Sequence, residues 1–492
     1  MLDNKLQAIV LAAGKSRRFN TGTSKLNQKI CGREMILFTT KLLEKLNIHT
    51  TLVVGYQKEL IKDIVTKNHK TDIQFVHQEE QKGTGHAILC ARNSWSEENI
   101  LIINGDMPLI TKEIIEQLYS EHIEKKAMIS FVYSHNIDPN NSYGRVVKTE
   151  NSIQIIEAKD FDGSKQDHCC INAGIYIVNK KFLEQHIKEL ESSNASQEFY
   201  FTDLIKIASD NKYTVAMLSA PFDRIRGINT LEELWAAEQI KRSDLIKYWM
   251  QQGVRFFAPQ NVHIDIDVTI GAQTKIGSGA HILKGTHIGK NCQIYQFTTL
   301  KNSTIEDNTT IYSHSIIKDS IIHESAEVGP FAHLRNGAII KKEAVVGNFV
   351  EIKNSTVGEK TKAKHLSYLG DATIGKGTNI GAGTITCNHN GLTKEKTTIK
   401  DGAYIGSNNT LVAPVTIEKN AYTAAGSTIT NNVPENSLAF GRAKQVTKKD
   451  YVPLLKKKLQ EKTKAQDTQK EPTIKITYRA AMKTDKNSLQ ES

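Results

Sequence analysis

Residues 264–300 read IDIDVTIGAQTKIGSGAHILKGTHIGKNCQIYQFTTL, and an aliphatic residue returns at every sixth position. The rhythm continues to residue 429, with occasional shortening by one residue. A period of six matches neither the roughly 3.6 residues per turn of an α-helix nor the alternation of a half-exposed strand. Each hexapeptide is therefore predicted to form one short strand followed by a turn. The positions that carry the rhythm are Ile264, Ile270, Ile276, Ile282, Ile288, Ile294, Leu300, Ile305, Ile311, Ile317, Ile322, Val328, Leu334, Ile340, Val346, Ile352, Val357, Leu369, Ile374, Ile380, Ile399, Ile405, Leu411, Ile417, Thr423 and Ile429.

A solenoid is the fold that this repeat predicts. Three hexapeptides would form one triangular coil, and stacked coils would bury one continuous apolar column. A β-sandwich with Gly-rich turns is the alternative, but its strands would be spaced about 8–12 residues apart with irregular loops. The repeat resembles the hexapeptide left-handed β-helix of acyltransferases. The left hand is implied by that resemblance alone, because parallel crossovers generally favour the right hand.

Length and composition predict a soluble protein of more than one domain. The chain has 492 residues, of which 39% are hydrophobic, and its mean hydropathy is −0.39. No run approaches the roughly 18–20 apolar residues of a membrane span, and the N-terminus does not read as a signal peptide. The six cysteines are scattered without a CxxC pair, so reduced thiols are expected. We therefore expect a cytoplasmic enzyme with no stable membrane insertion.

The formal net charge of +11 could indicate a nucleic-acid partner. Residues 444–492, however, hold 13 Lys and Arg against 6 Asp and Glu, so most of the excess lies in the tail. The remaining chain has no patch in which basic and aromatic residues are interleaved, and we expect no nucleic acid. The tail is predicted to be disordered beyond a short helix over 451–464. We interpret it as a solubilising extension; contact with an anionic partner is the alternative.

The N-terminal part alternates helix and strand patterns. Residues 7–11 form an apolar run that is typical of a buried parallel strand. Such alternation favours an open α/β sheet with ligands at the carboxyl ends of the strands. The further predicted elements are a helix over 35–47, a strand over 50–55, a helix over 57–67, a strand over 72–77, a helix over 83–93 and a strand over 100–104.

Three loops are expected at that edge of the sheet. AAGKSRRF (12–19) combines small residues with cations, a pattern that can wrap phosphates. QEEQKGTGHA (78–87) is Gly-rich and leads into a helix. NGDMPL (104–109) places the Asp106 carboxylate just after an apolar strand, at the position expected for a metal ion bound to a nucleoside triphosphate. Each loop alone could be a structural turn, but the three in this order predict a nucleotide site.

Further motifs extend this pattern to a family. The motifs are L-A-A-G-K-x-x-R (11–18), Q-x-x-x-x-G-T-G-H-A (78–87), G-D-x-P-L (105–109), Y-G-R (143–145), E-x-K-D (157–160), N-x-G-I-Y (172–176) and Y-x-T-D (200–203). The set is similar to that of the sugar-1-phosphate nucleotidyltransferases. Together with the repeat, residues 6 to about 450 resemble the bifunctional N-acetylglucosamine-1-phosphate uridyltransferase/glucosamine-1-phosphate N-acetyltransferase family.

The resemblance implies the fold and the domain boundaries. The fold class is α/β, with an N-terminal Rossmann-like nucleotidyltransferase domain followed by a C-terminal left-handed parallel β-helix of hexapeptide repeats. The implied parts are the uridyltransferase domain (1–229), a helical linker (230–252), the β-helix acetyltransferase domain (253–443) and the basic tail (444–492).

The resemblance also implies the residues of the first site, which would use UTP and N-acetylglucosamine-1-phosphate. Asp106 and Asn229 would coordinate Mg²⁺, and Arg18 and Lys25 would act on the triphosphate. Ser16-Arg17-Arg18-Phe19 replaces the usual G-T-R-M, so either arginine could do so, and Ser24 stands where Pro is common. The nucleotide would contact Leu11, Ala13, Gly14, Lys25, Gln78, Gly83 and Thr84. The acetylated sugar phosphate would contact Gly144, Glu157, Asn172, Thr202 and Asn229.

A second site is predicted where polar residues gather in about four coils and residues 386–398 interrupt the repeat as a loop. The resemblance makes His365 the general base of acetyl transfer from acetyl-CoA, with Glu351 orienting it; the reference pKa of histidine, about 6.5, suits that role. Asn388 would also help to position the glucosamine and the acetyl group. Glucosamine-1-phosphate would contact Arg335, Lys353, Tyr368, Asn379 and Lys394. Acetyl-CoA would contact Ala382, Asn388, Ser407, Ala425 and Arg442.

A homotrimer is implied by the resemblance, and flat prism faces with exposed aliphatic residues favour self-association. Two other functions remain open. The β-helix could be only a regulatory or oligomerising module on a nucleotidyltransferase, or the whole chain could be a trimeric, non-enzymatic scaffold. Loss of acetyl transfer in a His365→Ala variant, and release of pyrophosphate that requires Mg²⁺, would each exclude one of them.

Overall fold

A computed structural model describes residues 5–15, 19, 22–135, 141–150, 152–161 and 170–467. The predicted residue Arg18 and its neighbours Ser16 and Arg17 lie outside the described residues, as does the tail beyond 467. Residues 1–441 form one compact unit and residues 442–492 form a second. Within the described residues, no helix is both long enough and apolar enough to span a bilayer.

In the described residues of its N-terminal part, the first unit forms a nine-stranded mixed sheet with helices packed on it. Seven of its strands lie side by side in the order Val215–Ser219, Ile129–His135, Cys170–Asn179, Asn99–Asn104, Leu6–Ala12, His49–Val54 and Gln74–His77. The other two strands, Arg145–Lys148 and Ile153–Ile156, form a hairpin that pairs with Cys170–Asn179. A small hairpin joins Lys29–Ile30 to Arg33–Glu34. The helices of this part are Ile36–Lys45, Lys58–Asn68, Thr84–Cys90, Lys112–Glu124, Lys180–His186, Asp203–Asp210, Phe222–Ile225 and Leu231–Gln251.

The central strand Leu6–Ala12 pairs in parallel with His49–Val54 on one side and Asn99–Asn104 on the other. Both faces of these strands are covered, which explains the apolar runs over residues 8–12, 52–54 and 100–103. The predicted elements up to residue 104 are therefore confirmed, with boundaries that shift by one to three residues. Because these strands are parallel, the loops after their carboxyl ends lie at one edge.

The helix Leu231–Gln251 leads from the sheet to the repeat. Its start is fixed by a capping box, in which Thr230 Oγ1 accepts from the Glu233 N–H and Glu233 Oε2 accepts from the Thr230 N–H. The predicted helical linker is thus present as a helix. Whether the domains divide at the predicted boundaries stays a prediction.

Three parallel sheets form the C-terminal part, one for each face of a prism. Face 1 contains Arg255–Phe256, Lys275–Ile276, Gln293–Ile294, Thr310–Ile311, Glu327–Val328, Val345–Asn348, Lys362–His365, Asn379–Ile380, Tyr404–Ile405, Tyr422–Thr423 and Leu438–Ala439. Face 2 contains His263–Ile264, His281–Leu283, Thr299–Lys301, Ile316–Lys318, His333–Arg335, Glu351–Lys353, Tyr368–Gly370, Ile385–Cys387, Thr410–Val412 and Thr428–Ile429. Face 3 contains Thr269–Ile270, His287–Ile288, Thr304–Ile305, Ile321–Ile322, Ile339–Ile340, Thr356–Val357, Ala372–Ile374, Thr397–Ile399 and Val415–Ile417.

The aliphatic positions that carry the six-residue rhythm all point inward and form one buried column. They pair in register between coils, as Ile264 does with Ile282 and Ile282 with Leu300. Ala363 and Thr386, both fully buried, fill two positions where the rhythm had slipped. The solenoid is confirmed, and the β-sandwich is wrong.

The predicted loop over 386–398 is shorter than expected. Its first residues lie in the strand Ile385–Cys387 and its last in Thr397–Ile399, because Thr386 replaces an aliphatic side chain in the column. In the second unit, Tyr451–Asp467 is helical, which confirms the short helix predicted near the start of the tail.

Candidate active sites

A cavity of about 840 Å³ opens at the carboxyl ends of the parallel strands. Three consecutive residues after the first strand, Ala13 to Lys15, form one wall, and residues 78–81 with Gly83 and Thr84 form another. All of the predicted nucleotide residues line it: Leu11, Ala13, Gly14, Lys25, Gln78, Gly83 and Thr84. The structure therefore brings together residues that are up to 73 positions apart in the sequence.

Local contacts explain the Gln78–Thr84 wall. Gln78 Nε2 donates to the Gly83 carbonyl oxygen at 3.2 Å, which closes the loop on itself. Gly83 has φ +103°, and a Cβ there would lie 2.6 Å from the Phe199 carbonyl oxygen, so only glycine fits. Thr84 Oγ1 accepts from the Phe201 N–H at 3.0 Å. These contacts join the nucleotide loop to the segment before Thr202.

Lys25 begins a short 3-10 turn, Lys25–Asn27, that Ser24 caps. The buried Ser24 hydroxyl accepts from the Leu26 N–H at 3.3 Å, and the Ser24 N–H donates to Gln57 Oε1 at 2.7 Å. A proline could make neither contact, because it has no N–H and no hydroxyl. Ser24 thus has a structural role in presenting Lys25.

Asp106 and Asn229 lie on either side of the Lys25 ammonium group, which donates to Asp106 Oδ2 and, at 2.7 Å, to Asn229 Oδ1. The other carboxylate oxygen, Asp106 Oδ1, is buried and has no hydrogen-bond partner within the described part of the chain. A buried carboxylate oxygen is costly unless a donor or a cation satisfies it. Carboxylate and amide oxygens suit a hard divalent cation, so this pair fits a metal ion.

A second cavity of about 220 Å³ adjoins the first. The two share Leu11, Thr84, Asn104, Asp106 and Asn229 in their linings. All of the predicted sugar-phosphate residues line the second cavity: Gly144, Glu157, Asn172, Thr202 and Asn229. A ligand that fills both cavities therefore passes the Asp106–Asn229 pair.

The polar groups of the second cavity are pre-oriented. Glu157 Oε1 accepts from the Thr202 hydroxyl at 3.0 Å, and Asn172 Nδ2 donates to the Tyr176 hydroxyl at 2.6 Å. Burial raises the pKa of Glu157, and nearby acidic groups add to the effect. A Cβ on Gly144 would lie 2.9 Å from Ile155 Cγ2, so a side chain there would collide with the cavity wall. Such a cavity can bind a small polyol through fixed acceptors and donors.

Sequence reasoning missed Asn104 and Tyr143 as cavity residues. Asn104 lines both cavities, and its Nδ2 would lie 2.7 Å from a Cβ on Gly174, which explains the glycine of the N-x-G motif. The place of Asn104, directly before the G-D-x-P-L motif at a strand end, was a usable signal. Tyr143 was quoted only as part of Y-G-R.

The cations predicted on the β-helix gather on face 2 and on the loop that interrupts the repeat. Arg335 donates through Nε and Nη2 to Glu351 Oε1, at 2.8 and 2.6 Å. Lys353 pairs with Asp371 at 3.2 Å. The neighbouring Lys353 lowers the pKa of Lys394, and Arg335 contributes further. Three cations thus lie close enough to repel one another, and such a cluster can bind an anion.

Asp371 holds this cluster together and was not predicted. Burial by itself would raise the pKa of Asp371, but hydrogen bonds from Asn354, Asn388 and Lys353 outweigh it, and the pKa is lowered. Asn388, which is buried, donates to Asp371 and lies 3.5 Å from the Tyr368 hydroxyl. The predicted residues Arg335, Lys353, Tyr368, Asn388 and Lys394 are thus in one neighbourhood.

His365 lies at the exposed end of a face 1 strand, with Asn379 on the strand of the next coil. Asn348 Oδ1 lies 3.0 Å from His365 Nδ1. The expectation that Glu351 orients His365 is wrong within this chain, because Glu351 is on face 2 and bonds Arg335. The register stacks His365 on Asn348 instead. Nδ1–H donation to Asn348 would leave Nε2 as the free base.

The corner between faces 1 and 2 lies between His365 and Tyr368, and the size of its side chains changes along the prism. Ala382, Ser407 and Ala425 lie at this corner in three successive coils, each followed by Gly383, Asn408 or Gly426 with a positive φ. In the five preceding coils the positive-φ residue is bulky instead, at Phe297, His314, Phe331, Phe349 and Leu366. Arg442 belongs to the second unit, so its contact with acetyl-CoA stays a prediction.

Comparisons with known proteins agree with this geometry. Residues 8–149 match the MobA-like NTP transferase domain, and residues 248–352 match the EIF2B subunit epsilon LbH domain. The Bifunctional protein GlmU of Thermosipho africanus is 41% identical over 448 residues, which cover 91% of this chain and 97% of that protein. The chain belongs to the bifunctional GlmU family. The GlmU proteins of Exiguobacterium sibiricum (38% identical; 90% and 99% covered) and Thermodesulfovibrio yellowstonii (40%; 89% and 97%) are similar.

GlmU proteins are bifunctional glucosamine-1-phosphate acetyltransferases and N-acetylglucosamine-1-phosphate uridyltransferases. The predicted family, fold class, function and enzyme class are therefore confirmed, and the parallel coils fit the left-handed β-helix. The two rival functions, a purely regulatory β-helix and a non-enzymatic scaffold, are not those of a GlmU protein. Nucleotidyltransferases of the GlmU family are generally metal-dependent.

Proposed function

We propose that the β-helix site acts first and the α/β site second, so that glucosamine-1-phosphate, acetyl-CoA and UTP yield UDP-N-acetylglucosamine, CoA and pyrophosphate. The product would supply precursors of the cell envelope. One observation carries the proposal: every predicted nucleotide and sugar-phosphate residue within the described chain lines one of two adjoining cavities that meet at Asp106 and Asn229. The order follows because only the acetylated sugar phosphate is the substrate of the second step.

At the α/β site, a phosphate oxygen of N-acetylglucosamine-1-phosphate would attack the α-phosphorus of UTP, and the bond to the bridging oxygen of pyrophosphate would break. Glu157 and Asn172 would orient the sugar so that the attack is in line. Lys25 would bind the triphosphate and stabilise the charge that develops there. Arg18 would act with Lys25, a role that rests on the family resemblance.

Asp106 and Asn229 would hold Mg²⁺, which when bound neutralises charge on the triphosphate. Mg²⁺ usually takes one or two protein oxygens and completes its octahedron with phosphates and water. Asp106 and Asn229 match that requirement, because they offer one carboxylate and one amide oxygen close together and Asp106 Oδ1 has no hydrogen-bond partner within the described part of the chain.

At the β-helix site, the amino group of glucosamine-1-phosphate would attack the thioester carbon of acetyl-CoA, and the C–S bond would break to release CoA. His365 would take the proton that the amino group loses. Arg335, Lys353 and Lys394 would bind the sugar phosphate, which relieves the repulsion among them. Tyr368, Asn379 and Asn388 would orient the glucosamine, and the small corner residues Ala382, Ser407 and Ala425 would leave room for the pantetheine arm.

A homotrimer would complete the second site, and the corner between faces 1 and 2 supports it. Phe297, His314, Phe331 and Phe349 form a ladder of stacked rings with centroids 5.0–5.3 Å apart, which Leu366 extends. Phe349 is 55% exposed and Leu366 63%. Bulky residues with positive φ carry strain that Gly or Asn avoids at the same corner elsewhere. A second copy that covers this ladder would offset that cost and bring its own residues beside His365.

The cytoplasm is the compartment we propose. The five cysteines in the described part of the chain are free thiols, as is usual in a reducing compartment. Acetyl-CoA and UTP would also have to be available there.

The test is a coupled assay that follows CoA thiol and pyrophosphate separately. The wild-type protein should release both, with pyrophosphate dependent on Mg²⁺ and on prior acetylation. His365→Ala should abolish thiol release but still release pyrophosphate from ready-made N-acetylglucosamine-1-phosphate, and Asp106→Asn should do the reverse. A His365→Ala protein that still acetylates would refute the β-helix site proposed here.

A further inference from the structure

The loop over residues 227–229 carries Asn229, one of the two proposed metal ligands. Each of its three consecutive backbone N–H groups donates to a different acceptor: Tyr143 Oη at 3.0 Å, the Asp106 carbonyl oxygen at 3.0 Å, and Glu233 Oε2 at 2.5 Å. The backbone that presents the Asn229 carboxamide is therefore held at three successive points.

Two of these acceptors belong to the metal side of the site. Asp106 is the other proposed ligand, and Glu233 caps the helix that follows the loop. Tyr143 differs from them, because it directly precedes Gly144 and lines only the sugar-phosphate cavity, whereas Asp106 lines both cavities. Gly144 in turn accepts from the Asn172 N–H at 2.9 Å, so this wall is tied to a second proposed sugar residue.

The Tyr143 phenol is well placed to stay protonated and fixed. Its ring packs edge-on against Phe222, with centroids 5.7 Å apart and an interplanar angle of 82°. Its hydroxyl accepts from the Gly227 N–H and also lies 3.4 Å from the Gly227 carbonyl oxygen, to which it can donate. Burial raises the pKa of Tyr143, and the nearby Glu233 carboxylate adds to the effect. A protonated phenol can both accept and donate.

We propose that Tyr143 is a positioning residue that couples binding of the sugar phosphate to binding of the metal ion. Occupation of the cavity beside Gly144 fixes the 142–145 wall, and the Tyr143 hydroxyl transmits that order to the loop that carries Asn229. The coupling rests on the function proposed above for this site.

The physical basis is the cost of an unsatisfied N–H group. Removal of the Tyr143 hydroxyl leaves the half-buried Gly227 N–H without its acceptor, and a donor that water reaches only in part loses free energy when its partner is removed. The loop should then shift, and the Asn229 carboxamide should lose its place opposite Asp106. A Cβ on Gly227 would lie 3.5 Å from Asp106 Oδ1, so Gly227 faces the Asp106 carboxylate and a small shift of the loop is enough to change the metal site.

The experiment measures Mn²⁺ binding to the full chain by electron paramagnetic resonance, with and without N-acetylglucosamine-1-phosphate. In the wild-type protein the sugar phosphate should tighten Mn²⁺ binding at least threefold. Tyr143→Phe should weaken Mn²⁺ binding about five- to tenfold in the absence of the sugar phosphate, and the effect of the sugar phosphate should fall below 1.5-fold.

Two matched tyrosine variants separate this role from a general structural one. Tyr176→Phe removes the hydroxyl that holds Asn172, in the same cavity but away from the 227–229 loop. It should weaken binding of the sugar phosphate and leave Mn²⁺ binding in its absence unchanged. Tyr213→Phe, where the ring packs on Phe182 and His186, should change neither.

The outcomes separate a failure of the Tyr143 coupling from a failure of the metal site proposed at Asp106 and Asn229. If Tyr143→Phe binds Mn²⁺ as the wild-type protein does, with the same response to the sugar phosphate, the coupling is refuted. If Asp106→Asn binds Mn²⁺ as the wild-type protein does, the metal site itself is wrong and the coupling falls with it. Acetyl transfer, which uses the β-helix, should stay within twofold of the wild-type rate in Tyr143→Phe and so reports that the variant is folded.

Discussion

The α/β domain and the β-helix both bring distant polar residues together, but they do so in opposite geometries. In the α/β domain, loops from several strands converge on one edge and enclose two adjoining cavities. On the β-helix, the catalytic candidates lie on two faces and at the corner between them, with His365 exposed to solvent. A convex prism cannot surround a ligand by itself, whereas a sheet edge with loops can. The first site is therefore expected to work within one chain and the second to need another copy.

The largest effect should come from breaking the proposed trimer. Phe331→Glu combined with Phe349→Glu places two charges on the exposed ring ladder, where burial by a second copy would be strongly unfavourable. Acetyl transfer should fall at least about 100-fold, uridylyl transfer should stay within twofold, and light scattering should report monomers. Ile321→Glu, an exposed aliphatic position on face 3, is the matched control and should change neither. Full acetyl transfer by monomers would mean that the β-helix site, like the α/β site, works within one chain.

A smaller effect should distinguish the two residues that could orient His365. Asn348→Ala removes the oxygen next to His365 Nδ1, so the imidazole loses its fixed tautomer and kcat for acetyl transfer should fall about tenfold. Glu351→Gln weakens the partner of Arg335 and should change mainly the KM for glucosamine-1-phosphate, by less than about fivefold. Steady-state kinetics with a pH–rate profile checks both. A larger loss of kcat in Glu351→Gln would mean that a second copy supplies Glu351 to His365.

The smallest effect concerns stability and pH. Burial, and next the nearby Asp160 carboxylate, raise the pKa of Asp203 in the folded protein to about 6 from its ordinary value of 3.8. The folded state therefore loses stability as the pH rises above 3.8, and the loss is complete once the pH exceeds about 6. Asp203→Asn should therefore raise Tm by about 2–4 °C at pH 8 and not at pH 3.5. The pKa of Asp371 is lowered instead, so its ionised carboxylate stabilises the folded protein.

The Asp371 variant is the counterpart in the β-helix. The Asp371 carboxylate stabilises the fold above its unfolded pKa, and this contribution is lost only as the pH falls through its lower folded value. Asp371→Asn should lower Tm at pH 8 and at pH 5 alike. Calorimetry across this range checks the pair. If both variants changed Tm in the same direction, the result would contradict the idea that the α/β domain buries the Asp203 charge at a cost, whereas the β-helix pairs the Asp371 charge.

The sequence by itself determined the solenoid, because one inward side chain per hexapeptide is a local property that repeats. The positions from Ile264 to Ile429 predicted the buried column, and the strand–helix alternation before residue 104 predicted the parallel core of the sheet. The family resemblance likewise predicted which residues line the two cavities. For the nucleotide residues the strand order gives a physical reason, because loops at the carboxyl ends of parallel strands meet at one edge.

Only the tertiary structure decided how those residues pair. The register between coils placed Asn348, rather than Glu351, beside His365, and a slip of one residue per coil is enough to reverse such an assignment. The ring ladder at the corner depends on residues 17 or 18 positions apart with positive φ, which no local pattern reveals. The Tyr143–Gly227 contact joins residues 84 positions apart. Contacts of this kind depend on how the elements pack against one another, so they become visible only once the chain is folded.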